Sequence, residues 1–228
     1  MEQIKLNDRL MTAIPFVRNG RSFADIGTDH AYLPIYLMGI NKISSAVAAD
    51  INKGPLDKAK ENIEKYGYCD YITTVLCDGL KKINSRDVDD IAIFGMGGEL
   101  IVKIIDEASW VKDSSKRLIL QPMTHPEKLR KYLAENGFKI LGEALSYDRG
   151  KIYQTICAEY DGNIRKYDEF TLLFGEFILR EKSELLVALM NSEKNKLLRK
   201  IVGKREGNED VSYELYMLSE IEKYIEGK

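Results

Sequence analysis

The sequence predicts a doubly wound α/β sheet followed by a separate helical module. Three observations carry this. Short apolar runs alternate with amphipathic segments from residue 23 to residue 136. Four of those runs end in turns that carry aspartate or glycine. Beyond Asp161-Gly162-Asn163 no strand-like run survives, and Leu, Lys and Glu dominate. Alternation of this kind demands parallel strands joined by right-handed crossovers. At 228 residues the chain is long enough for one packed core plus an appendage, and the expected boundary separates residues 1–161 from 162–228.

Each element has its own signal. Ile4, Leu6, Leu10, Met11, Ile14 and Val17 stand at helical spacing, which predicts a lead-in helix capped by Asn7 or Asp8 and ended or bent by Pro15. Strand-like runs follow at 23–26, 46–50, 72–77, 91–94 and 117–120. Helices are expected at 33–39, 55–65, 98–108 and 126–136. Pro55 suits a first helical position, Gly67 and Gly137 suit helix ends, and Thr124-His125-Pro126-Glu127 reads as a capping box. Residues 138–146 and 151–159 flank Tyr147-Asp148-Arg149-Gly150 and read as an antiparallel hairpin at the sheet edge. In the helical module, 185/186, 189/190, 197/198 and 201/202 form one apolar seam, and Leu215, Leu218, Ile221 and Ile225 form another. Residues 203–210 separate them, so two antiparallel helices packed as a short coiled coil are expected.

Composition narrows the function. With 44% hydrophobic and 31% charged residues the chain reads as globular. No apolar stretch exceeds strand length, so no membrane span is expected. Residues 1–9 are too polar for a signal peptide. Three cysteines form no C-x-x-C pair and read as reduced, structural thiols of a cytoplasmic protein. The net charge of −2 means that any polyanion must meet a local patch. Lys194, Lys196, Arg199, Lys200, Lys204 and Arg205, in a segment without acids, form such a patch or a solvated helix end.

The strand-end turns carry the chemistry. Asp25-Ile26-Gly27-Thr28-Asp29-His30-Ala31-Tyr32-Leu33-Pro34 closes the first strand and opens a helix. There a glycine admits a ligand to the backbone and the helix start offers N–H donors. Asp50 ends the next run, where a carboxylate can accept both hydroxyls of a ribose. Cys77-Asp78-Gly79 and Gly95-Met96-Gly97-Gly98 end the third and fourth. Four such ends in a row describe a nucleotide-type cofactor cleft. No Cys/His/Asp spacing suggests a metal. The terminal hairpin fits a class I (Rossmann-like) methyltransferase sheet better than a dehydrogenase sheet, and the first turn lacks G-x-G-x-x-G.

Taken together, D-I-G-T-D-H-A-Y-L-P at 25–34, D-G-L at 78–80, G-M-G-G at 95–98 and L-Q-P at 120–122 resemble the TrmK family. These are bacterial enzymes that methylate N1 of adenine 22 in tRNA with S-adenosyl-L-methionine. The resemblance covers essentially the whole chain. It implies Asp25 and Gly27 around the cofactor's methionine, with Asp29 and His30 beside them. It further implies Asp50 on the ribose, and Asp78 on the cofactor's adenine amino group with Gly79 keeping the wall thin. The common superfamily turn carries three alternating glycines; here only Gly27 remains, and Asp29 is expected to tolerate a left-handed backbone in place of one.

On the substrate side, Gly95, Gly97 and Gly98 admit the base to the methyl group or simply make the strand-to-helix turn, and Met96 lines the cleft. Gln121 and Pro122 lie at a strand end facing the same cleft. Tyr32 stacks on the base or packs under its helix, and Arg9 reaches an RNA phosphate or carries a solvated charge. Position 22 lies in a helical part of tRNA, so the base must be extruded. Phosphate contacts by Lys196, Arg199 and Lys200, joined by Lys128, Arg130 and Lys131, are expected to help offset that cost. The rival readings are an S-adenosylmethionine-dependent methyltransferase of another substrate and a non-catalytic RNA-binding module.

Overall fold

The computed structural model describes residues 4–227. Residues 1–3 and 228, the outer ends of the expected domains and the first part of the polar N-terminal stretch, lie outside the described residues. The chain divides into two units, residues 1–166 and 167–228.

The first unit is an α/β sheet of seven strands. In chain order its elements are α1 (Asp8–Met11), β1 (Arg21–Ile26), α2 (Tyr32–Gly39), β2 (Ile43–Asp50), α3 (Lys53–Lys65), β3 (Ile72–Leu76), β4 (Asp90–Met96), α4 (Gly98–Asp106), β5 (Arg117–Pro122), α5 (Pro126–Glu135), β6 (Phe138–Asp148) and β7 (Lys151–Tyr160). The strand order is β3-β2-β1-β4-β5-β7-β6. β1 to β5 run parallel, and β7 is antiparallel to β5 and β6. The order reverses between β1 and β4, the switch point at which ligands bind in such sheets. Phe23, Ile26, Ile91, Ile93 and 118–120 are buried to within 2%. Their apolar runs form strands because both faces are covered, each Leu or Ile contributing about 1.5–3 kcal/mol.

Several local expectations need correction. The lead-in helix shrinks to the single turn α1, whose Asn7 side chain accepts from the Leu10 N–H at 2.9 Å. Ile4, Leu6 and Val17 are buried nonetheless; the spacing reports burial by a chain that turns back. Helix α3 begins at Lys53, so Pro55 is its third residue, still in the turn whose N–H groups lack partners. Thr124 does not cap α5. The cap is His125 in a left-handed conformation, and the Thr124 carbonyl accepts from the Gly98 N–H instead. Arg130 is not a surface cation: it is buried in α5 and paired with Glu143 of β6 at 2.7 Å and Gln154 of β7 at 2.6 Å.

The second unit holds α6 (Glu169–Phe174), α7 (Glu176–Glu181), α8 (Glu184–Glu206) and α9 (Ser212–Ile225). The long pair α8 and α9 pack together as expected. Helix α8 runs straight through Gly203, so the connection is only 207–211. One buried stripe is Leu186, Leu189, Met190, Leu197 and Ile201; the facing one is Glu214, Met217 and Ile221. Leu198, Val202, Leu215 and Ile225 are exposed, and α6 and α7 are additions to the expected pair. No helix among the described residues is long and apolar enough to cross a membrane.

Candidate active site

The four strand ends are locked side by side. Gly27 and Thr28 N–H both donate to the Ala49 carbonyl of β2, at 2.8 and 2.9 Å, and Cys77 N–H donates to the Asp50 carbonyl at 3.0 Å. From β4, the Met96 methyl lies 2.3 Å from the point that a Cβ on Gly27 would occupy. Gly27 has φ +74° and Gly95 φ +78°, so the turn after β1 and the irregularity near the end of β4 both need glycine for their backbone.

Asp25 is the electrostatic centre of the site. Its residue is 6% exposed, and among the described residues its side chain accepts one bond, from the buried Thr28 hydroxyl at 2.6 Å. Burial pushes its carboxyl up to about 6; the Thr28 bond and the charge of Arg9 oppose this, and Asp29 and Asp50 add to it. Asp29 and Asp50 thus both act on Asp25, and negative charge gathers at these strand ends with Arg9 opposing it. Such a donor set fits a cationic, hydroxyl-bearing ligand, which would relieve the repulsion.

The remaining residues fall around this centre. Asp29 is exposed and pairs with His30 Nε2 at 3.1 Å. The rings of His30 and Tyr32 stack at 5.4 Å. The left-handed residues of the turn are His30 and Ala31, at φ 60° and 58°, not Asp29. This strained pair costs of order 1 kcal/mol per residue and is held by Asn62, whose Nδ2 donates to the His30 carbonyl at 2.9 Å. Asp50 Oδ1 accepts from Asn52 N–H at 2.6 Å. The Asp78 carboxylate is half-exposed and accepts from Lys81, which holds it below the usual range. Gly79 packs on Ile104 of α4, 3.0 Å from where its Cβ would lie.

Gly97 and Gly98 face inward as much as toward the cleft. A Cβ on Gly98 would fall 2.3 Å from the His125 carbonyl oxygen, and one on Gly97 would fall 3.1 Å from the Thr124 hydroxyl. Pro122 ends β5 beside Met96. Gln121 is fully buried and bonded to Arg9, Thr12 and Thr155. It reaches the cleft through Arg9, and Thr12, Thr28, Asn62 and Thr155 were not singled out from the sequence. In the helical unit Lys196 pairs with Glu193, and Arg199 donates to the Asn195 carbonyl. Arg199, Lys200 and Arg205 have no ion-pair partner among the described residues, whereas Lys194 and Lys204 bind Glu222 and Glu214 of α9.

Comparison with known proteins identifies the family. The family model described as TrmK, tRNA (adenine(22)-N(1))-methyltransferase, matches residues 23–226. A tRNA (adenine(22)-N(1))-methyltransferase of Bacillus subtilis (strain 168) is 36% identical over 197 residues, spanning 85% of this chain and 83% of the relative. The crystal structure of the B. subtilis m1A22 tRNA methyltransferase TrmK matches with a TM-score of 0.82 at 31% identity, covering 98% of this chain and 97% of that one. A Streptococcus pneumoniae protein solved in complex with S-adenosyl-L-methionine matches at 0.85 and 31%, covering 95% and 99%. Alike in sequence and in shape over nearly its full length, the chain belongs to the TrmK family of tRNA (adenine(22)-N(1))-methyltransferases.

Proposed function

We propose that the enzyme methylates N1 of adenine 22 on a base turned out of the tRNA helix, by in-line displacement, in the cytoplasm. The observation that carries this reading is the carboxylate-ringed strand-end cleft within a chain whose family model spans residues 23–226. When bound, S-adenosyl-L-methionine supplies a methyl group on a positively charged sulfur. Asp25, near the carboxyl end of β1, and Gly27 would hold the cofactor's methionine end, Asp50 its ribose, and Asp78 its adenine, the last by exchanging its Lys81 contact.

Adenine N1 carries a free lone pair at neutral pH, so no base has to act before attack. The chain can work by positioning and by excluding water. N1 lies on the pairing edge, so the base must leave its stack, at a cost of a few kcal/mol. The stacked His30–Tyr32 pair offers a surface for the extruded ring. Gly95, beside Met96, gives the ring room to approach. The methylated base is cationic until N6 loses a proton; Asp29, steadied by His30, would accept from that N–H and stabilise the charge. Arg199 and Lys200, with Lys196, would contact phosphates.

The test is methyl transfer to a tRNA transcript carrying adenine at position 22, with the product mapped by nucleoside mass spectrometry. The expected result is 1-methyladenosine at that position and none when it is guanine. A product at another base, or methylation of guanine-22 transcript, would remove the reading.

A further inference from the structure

Beneath the cleft lies a polar cluster that methyl transfer leaves unexplained. Gln121 and Thr155 are fully buried, on adjoining strands beside the apolar stretches 118–120 of β5 and 156–158 of β7. Polar groups in such a place destabilise the sheet unless fully bonded. Their bonds converge on one short segment. Gln121 Nε2 donates to Thr155 Oγ1 at 2.8 Å and to the Arg9 carbonyl at 3.1 Å. The Thr12 hydroxyl donates to the same carbonyl at 2.7 Å and shares a bond with the Thr155 hydroxyl, also at 2.7 Å.

This scaffold fixes where the Arg9 side chain goes. Its Nη1 lies 3.4 Å from Gln121 Oε1, and its guanidinium carbon lies 5.8 Å from the centre of the Tyr153 ring. Nη1 is also 3.4 Å from the point that a Cβ on Gly95 would occupy. Among the described residues it has no carboxylate within ion-pair distance. A guanidinium presents five donors in a planar fork suited to an oxyanion. Here one of them meets a neutral amide, and the fork stands over the β4 turn.

We propose that Arg9 receives a phosphate of the tRNA strand next to the extruded base, and that Gln121 and Thr155 are its positioning residues. This rests on the function proposed above. The shared chemistry is an oxyanion, and the carboxylate of the cofactor's methionine end is the other source. The observations favour phosphate, because every anchor of Arg9 belongs to the segment 9–12 or to β5 and β7. These strands lie across β4 from β1, which carries Asp25, the residue given to the methionine end. The Arg9 charge still reaches Asp25, and calorimetry decides between the two.

The test uses the full chain and three variants, Arg9→Gln, Arg9→Lys and Thr155→Val, with unfolding midpoints recorded for each. Arg9→Gln is expected to lower kcat/KM for tRNA by about a hundredfold. It should reduce the slope of log(kcat/KM) against log(salt) by about one. Arg9→Lys restores the salt slope but not the full rate, since it keeps the charge and loses the fork. Thr155→Val lowers kcat/KM with the slope kept. Calorimetry with S-adenosylhomocysteine and with 5′-methylthioadenosine, which lacks the amino-acid tail, separates the two oxyanions. An unchanged preference for the former in Arg9→Gln supports phosphate. A lost preference with an intact tRNA salt slope overturns it, as do an unaltered slope and rate. A Thr155→Val enzyme equal to wild type overturns the positioning role. If the wild-type enzyme transfers no methyl to adenine 22, the underlying function fails before any variant is read.

Discussion

Two aspartates on neighbouring strands are both buried, yet their surroundings answer them differently. Asp90, at the amino end of β4, accepts from the Arg18 backbone N–H at 2.6 Å and from its Nε at 2.7 Å. Asp25, near the carboxyl end of β1, has one hydroxyl and no ion-pair partner among the described residues. Burial raises both carboxyls, but at Asp90 a whole guanidinium opposes it. The amino end of the sheet is built in the same manner elsewhere: Arg117 pairs with Glu159, and Lys116 donates to the carbonyls of Ser85 and Val88. The lesson is that one edge of the sheet is completed by the protein itself. The other keeps uncompensated charge and left-handed backbone for a ligand to complete.

The largest effect that would break this contrast is the loss of function in Asp25→Asn. Removing the carboxylate proposed to hold the cofactor's methionine end should abolish measurable S-adenosylhomocysteine binding by calorimetry and, with it, methyl transfer. Stability should move the opposite way. A group whose folded pKa is raised, here from 3.8 to about 6, favours folding below its unfolded pKa and loses that contribution as pH rises through 6. At pH 7 ionised Asp25 therefore costs about 2–3 kcal/mol, and Asp25→Asn should melt roughly 5–10 °C higher. Between pH 4 and 7 the wild-type melting temperature should decline relative to the variant. Parallel curves would show that Asp25 is not strained.

Asp90→Asn should give the mirror image. It leaves the Arg18 guanidinium without its carboxylate, a loss of about 2–4 kcal/mol for such a pair. That loss is offset in part because burial raises the Asp90 carboxyl as well, so the midpoint should fall by less than the loss alone implies. The folded fraction should still bind S-adenosylhomocysteine with wild-type affinity. A variant that loses binding while keeping its melting temperature would erase the distinction between the two edges.

How much of this was legible follows from what each element depends on. The parallel strands were readable because burial on both faces writes them as continuous apolar runs, and the four strand-end turns stood out because glycine and aspartate interrupt those runs. Residues 4–18 misled because a folded-back segment can bury residues at helical spacing; the Thr12 hydroxyl taking the Arg9 carbonyl and Pro15 both cut the helix short. The Gln121–Thr155 bond was invisible because it depends on the register of β5 against β7, where Leu120 faces Ile156. Nothing local encodes that register. In α9 Ile221 is buried as expected, but Leu215 and Leu218 stand one residue beyond the buried Glu214 and Met217, because Glu214 is made compatible with the interface by Lys204 of the other helix.

A smaller effect sharpens the reading of the glycines. Gly98→Ala puts a methyl group 2.3 Å from the rigid His125 carbonyl, so the α4 start or the 124–125 loop must shift. The expected cost is about 1–3 kcal/mol, read in the unfolding midpoint, with kcat falling as the β4 turn is displaced. A wild-type midpoint with reduced kcat would instead assign Gly98 to the base itself.

The helical unit repeats the contrast with cations, and the smallest expected effect tests it there. Lys204 lies 2.8 Å from Glu214, whose side chain is 5% exposed, so Lys204→Glu sets two carboxylates together and should lower the unfolding midpoint of that unit. Among the described residues Arg199 and Lys200, on the same helix, have no carboxylate within ion-pair distance, although Lys200 acts on Glu214 from farther away. Joint reversal of Arg199 and Lys200 to glutamate should lower the midpoint less than Lys204→Glu does, since Lys200 acts on Glu214 only from beyond ion-pair distance. It should weaken tRNA binding about tenfold and reduce its salt slope by up to about two. The answered cation then maintains the fold and the unanswered ones meet the phosphates. Equal tRNA affinity in the double reversal, measured across salt, would reduce this face of α8 to a solvated surface and leave the cleft side of the sheet to hold the RNA.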